Sequence, residues 1–81
     1  MKLDDALKEL DGHEKNTRFS RLITICTEFS GSARVRGGHH IFKTPWPGDP
    51  RINLQSQGGK AKAYQVTQVI LALRKLQGSA D

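Results

Sequence analysis

Gly37-Gly38 stands between two short segments whose side chains alternate in character, ARVR before it and HHIFK after it. A two-residue connection between antiparallel strands needs positive φ at its central positions, which glycine adopts without a steric penalty. The pair therefore marks a tight hairpin. In ARVR, Ala33 and Val35 alternate with Arg34 and Arg36, as in a half-buried strand. His39 to Lys43 forms the returning strand. The loop TPWPGDP follows, stiffened by three prolines and turned at Gly48-Asp49. Ile52 and Leu54 then alternate with Arg51, Asn53 and Gln55 in a third strand.

Helical spacing brackets this region. Leu3, Ala6, Leu7 and Leu10 recur at i, i+3, i+4 and i+7, which predicts a short amphipathic helix over residues 3–10, stopped by Asp11-Gly12. Asn16 or Thr17 is placed to cap a second helix, whose buried stripe is Phe19, Leu22, Ile23, Cys26 and Phe29. Ser30-Gly31-Ser32 ends it. After a turn at residues 56–59, the last helix carries Val66, Val69, Ile70, Leu73 and Leu76 on one face, and Gly78 is expected to end it. Packing both main helices on one face of the sheet gives a two-layer α+β domain, α-β-β-β-α, with a three-stranded antiparallel sheet and an extra short N-terminal helix.

With 81 residues the chain has room for one domain, near the small end of what folds without help. A single cysteine, Cys26, cannot form an internal disulfide, which fits a reducing cytoplasm. The opening MKLDDALKEL is too acidic and too interrupted for a signal peptide, and no apolar run approaches the length of a membrane span. Charge is unevenly placed. Residues 1–14 carry two lysines against five acids, a net of −3, and residues 15–81 carry eleven Lys or Arg against three acids, a net of +8. The chain thus divides into an acidic helical leader, 1–15, and a basic body, 16–78. Such a body suits a polyanion partner, with RNA or DNA the obvious candidates, or is simply a solvated basic surface.

Strand parity bears on the two histidines. Alternate side chains share a face, so His39 goes with Ile41 and His40 with Phe42. With Ala33, Val35, Ile41, Ile52 and Leu54 on the core face, His40 lies on the open face and is the histidine available to a substrate. A Phe42 that claims the core reverses the assignment. A histidine beside a turn is, on its own, more often structural than catalytic. No metal site is expected, because adjacent strand histidines diverge and no Cys pair or His-x-Glu pattern completes a ligand set. Trp46, in the proline-rich loop, either covers the edge of the core or stacks a base. Lys60 and Lys62 are expected at the start of the last helix, where the macrodipole disfavours cations by roughly 0.3–1 kcal/mol each. Beside a Gly-Gly turn and free backbone N–H groups, they suit a phosphate contact.

The pattern GGHHIF, followed by a strand and then GGKAKAYQVTQVILALRKL, resembles the HicA family of small toxins, and KTPWPGDPRINLQ with GKAKAYQV is similar to one branch of it. The likeness covers about residues 16–77. It implies a fold related to double-stranded-RNA-binding domains, cleavage of messenger RNA without a metal or other cofactor, and neutralisation by a HicB-type antitoxin. The family pattern places the active histidine second in the pair, at His40; His39 is a secondary candidate, as donor of a proton to the leaving 5′-oxygen. Gly38 stands where the family usually has serine, so a hydroxyl is missing there.

Metal-free RNA cleavage needs a base for the 2′-hydroxyl and positive charge for the phosphorane. The expected machinery is His40 as base, with Arg34, Arg36 and Lys43 on the hairpin and Lys60, Lys62 and Trp46 holding the RNA. Two other functions fit the same surface. One is a non-catalytic RNA-binding module, and the other is an interaction protein whose basic face meets an acidic partner.

Overall fold

A computed structural model of the chain describes residues 1–79, the side chain of Ser79 excepted. The order is α1 (Leu3–Leu10), a 3-10 turn at Glu14–Asn16, α2 (Phe19–Ser30), β1 (Arg34–Arg36), β2 (His39–Phe42), β3 (Ile52–Leu54), a ribbon of β4 (Ser56–Gln57) and β5 (Lys60–Ala61), and α3 (Ala63–Ser79). β1, β2 and β3 form an antiparallel sheet in that order, and β4 pairs antiparallel with β5. The chain is therefore α+β, with three α-helices and a three-stranded antiparallel sheet among the described residues. None of those helices is long and apolar enough to cross a membrane.

Glycines set the turns. Gly37 and Gly38 have φ of 52° and 82°, the positive pair that a two-residue hairpin demands. Gly58 and Gly59, at 58° and 80°, make the same turn between β4 and β5, where a plain turn was expected. Thr17 does not cap α2. Its hydroxyl donates to the His13 carbonyl at 2.7 Å and closes the 3-10 turn, and α2 begins two residues later. Gly78 does not stop the last helix, which runs through it to Ser79.

One cluster makes the core. Leu22, Ile25 and Cys26 of α2 and Val66, Val69, Ile70, Ala72 and Leu73 of α3 pack on Phe42, Ile52 and Leu54 of the sheet. Ala6 and Leu10 of α1 are fully buried in the same cluster, so the acidic leader shares the core of the basic body. Its acids meet the helices. Glu9 accepts two hydrogen bonds from Arg21 at 2.6 and 2.7 Å, Asp11 lies 3.6 Å from Arg74, and Asp4 accepts from Gln77. Burial pushes the Cys26 thiol up to about 12, so the reactive thiolate is scarce at neutral pH. The folded protein is expected to resist iodoacetamide and to be alkylated only after unfolding in urea. Rapid labelling of the native chain would place Cys26 outside the core.

Candidate nucleic-acid interface

The turn at Gly37-Gly38 pairs Arg36 with His39, Val35 with His40 and Arg34 with Ile41. On the other side of β2, His40 pairs with Leu54, Ile41 with Asn53 and Phe42 with Ile52. Directly paired residues share a face. Val35, His40 and Leu54 therefore line up on the helix side with Phe42 and Ile52, and Arg34, Arg36, His39, Ile41 and Asn53 line up on the other.

This reverses the expected faces of the histidines. Phe42 is buried and takes the core position that Ile41 was given. His40 follows it inward and meets Phe19 of α2 edge-on, with ring centroids 5.1 Å apart. His39 stands on the open face. Its Nδ1 lies 3.1 Å from Asn53 Oδ1. The amide oxygen only accepts, so the imidazole donates through Nδ1–H, and in the neutral ring the lone pair is on Nε2.

Around this pair the open face is cationic. Arg34 and Arg36 are exposed on β1, Arg51 enters β3, and strand alternation carries exposed Lys43 to the same side as Ile41. None of these four cations forms an ion pair among the described residues. Two neighbouring depressions open here, of about 370 and 220 Å³, and both include Arg51 and Asn53. The first reaches Arg34, Ile41 and Trp46, and the second reaches His39, Asp49, Tyr64 and Gln68. A larger depression of about 470 Å³ lies between the 3-10 turn and the start of α3, but neither histidine nor cysteine lines it.

Of the remaining expected residues, Trp46 lines the larger of the two depressions on this face, and Lys60 and Lys62 line neither. Lys60 is not on the last helix; it sits in β5, bridged to Arg18 at the entry to α2. Lys62 immediately precedes α3, its carbonyl accepts the N–H groups of Gln65 and Val66, and its Nζ donates to Gln55 Oε1 at 3.1 Å. Trp46 is half-buried against the core, its indole N–H donates to the Pro50 carbonyl at 3.0 Å, and Lys75 Nζ lies 4.7 Å from the ring centre. Those contacts make it a cover for the edge of the core.

Asn53 and Arg51 join the site although sequence reasoning assigned them only to a strand's outer face. The available signal was Asn53 itself, a poor strand former placed between Ile52 and Leu54. Among the described residues no group of three or more His, Cys, Asp or Glu is placed to hold a metal ion. No family model, curated protein or solved structure matches the chain.

Proposed function

We propose that this chain is an endoribonuclease that cleaves single-stranded messenger RNA by metal-independent transesterification, as the toxin partner of a HicB-type antitoxin. The observation that carries this reading is His39. It is an imidazole oriented by Asn53, on a sheet face with four cations that form no ion pair among the described residues. A basic surface alone would suit simple binding. A positioned imidazole whose neutral form carries its lone pair on Nε2 is what transesterification adds to that requirement. A three-stranded antiparallel sheet with α2 before it and α3 after it, both packed in one core with the sheet, supports the double-stranded-RNA-binding-domain arrangement that the resemblance implies.

In this mechanism His39 Nε2 removes the 2′-hydroxyl proton, and the 2′-oxygen attacks the adjacent phosphorus. The P–O5′ bond breaks, leaving a 2′,3′-cyclic phosphate. The departing 5′-oxygen takes a proton from solvent, and the imidazolium returns its own to solvent. Arg36, the cross-strand partner of His39, is the nearest cation along the hairpin to the phosphorane oxygens. Arg34, Arg51 and Lys43 hold the flanking phosphates. His39 thus takes the base role that the family position gave to His40.

The test is cleavage of a defined single-stranded RNA by the purified chain with and without excess chelator. Cleavage is expected to be equal in both, with cyclic-phosphate ends. Activity lost to chelator and restored by magnesium or zinc would discard the mechanism. Binding without any cleavage would leave an RNA-binding module.

A further inference from the structure

β1 is an edge strand, paired with β2 on one side only. The two-residue turn makes Arg36 and His39 a pair that exchanges both backbone hydrogen bonds, and bonded and unbonded pairs alternate along an antiparallel ladder. Arg34 and Ile41 are therefore bonded as well, and Val35 and His40 are not. The N–H and C=O of Val35 point away from the sheet. Among the described residues no backbone hydrogen bond from outside the sheet meets them.

The opposite edge of the sheet is covered. By the same alternation Gln55, just past β3, turns its N–H outward, and Gln65 of α3 accepts it through Oε1 at 2.9 Å. β1 has no such cover. Val35 lies on the helix side of the sheet, yet its side chain is 59% exposed. On the open face Arg34 and Arg36 are exposed and form no ion pair among the described residues. The edge thus offers free backbone groups, an uncovered β-branched side chain on one face and two cations on the other.

We propose that β1 is a docking edge for an extended segment of a partner protein in which acidic residues alternate with β-branched ones. Such a segment adds as an antiparallel strand, with an apolar residue opposite Val35 and acids opposite Arg34 and Arg36. The edge backbone supplies the hydrogen bonds, and the directly opposed charges select the partner. A second copy of the chain fits worse. Pairing β1 with itself about Val35 sets each Arg34 opposite an Arg36, and like charges so placed are destabilising. The docking rests on the edge and its charges, not on RNA cleavage. Its consequence does rest on that reading. A docked strand brings carboxylates to two of the cations proposed to hold RNA, one of them the cross-strand partner of His39, and so inhibits cleavage.

The test uses the full chain and a fluorescent Val-Glu-Val-Glu-Val peptide. Antiparallel pairing about Val35 turns the amide of the central valine toward β1 and those of the glutamates away from it. N-methylation of the central valine is therefore expected to weaken binding about 10-fold, and N-methylation of both glutamates to leave it within about 2-fold. Arg34→Gln and Arg36→Gln should each weaken it about 2–5-fold, the range of a cross-strand charge pair. Val35→Pro removes the outward N–H without breaking a bond to β2, at an edge position of the kind that accepts proline. That variant should stay folded and lose the peptide.

Equal binding of the two methylated peptides would reduce the contact to charge attraction and overturn the docking edge. Absence of binding at about 1 mM peptide overturns it as well. A dimer of the chain that Val35→Pro dissolves would give the edge to a second copy instead. RNA cleavage assayed in parallel separates the two readings. Cleavage without peptide binding sinks the docking edge and leaves the nuclease standing. Methylation-sensitive binding with no cleavage of RNA keeps the edge and removes the nuclease.

Discussion

His39→Ala is expected to lower the rate of RNA cleavage by about 10²–10⁴-fold, the usual contribution of a positioned general base. The protein should stay folded. His39 is half-buried on the open face and its one recorded side-chain bond is to Asn53, so removing it leaves no buried group stranded. His40→Ala is the informative control. That ring faces Phe19, and its loss should cost about 0.5–1.5 kcal/mol of aromatic contact with cleavage retained. The measurements are initial rates on a single-stranded RNA and thermal melts of both variants, with growth arrest on expression as a cellular readout. If His40→Ala is dead and His39→Ala cleaves normally, the chemistry lies on the helix side beside Phe19. The family position of the base would then stand, and the open face would be a binding surface only.

How the sequence reading reversed these histidines is instructive, because the correction was already contained in the hairpin. A two-residue turn at Gly37-Gly38 pairs 36 with 39 and therefore 35 with 40. Val35 and His40 share a face whichever face that is. Placing Val35 and Ile41 together in the core was incompatible with that turn. The structure resolves the conflict in favour of Phe42, the larger apolar side chain, and leaves Val35 59% exposed at the sheet's free edge. Apolar count alone misled where register was decisive.

The helices were legible because their apolar stripes are long enough to show the helical period, and α1 falls on the residues that its spacing marks. The ribbon of β4 and β5 was not. Gly58-Gly59 repeats the glycine signal of the first hairpin, but each arm has two residues, too few to display alternation. Missing it misplaced Lys60 onto the last helix. The site was half legible. Alternation put Arg51 and Asn53 on the outer side of a strand, but the hydrogen bond from His39 to Asn53 depends on how β2 and β3 align across the loop between Phe42 and Ile52. No local pattern encodes that alignment. Nor does any pattern place Gln68, on a helix, beside Asp49, in a loop.

The leader supplies the second large effect. Leu10 is 1% exposed and packs in the core with α3, so Leu10→Ala should destabilise the domain by about 2–5 kcal/mol. A chain of 81 residues has about 4–12 kcal/mol in total at 0.05–0.15 kcal/mol per residue. The substitution therefore removes a large share of it, and the melting temperature should fall by at least about 8 °C. Lys8→Ala, on the exposed side of the same helix, should stay within about 0.5 kcal/mol of the parent. By charge alone an acidic segment would also suit a place over the basic face. Its carboxylates instead meet Arg21, Arg74 and Gln77 on α2 and α3, which pack against the opposite side of the sheet from His39. The open face thus stays clear for phosphate while the leader completes the core. Urea and thermal unfolding of the two variants decide the matter. A Leu10→Ala protein that melts with the parent would make the leader a detachable segment, its acids free to shield the arginines.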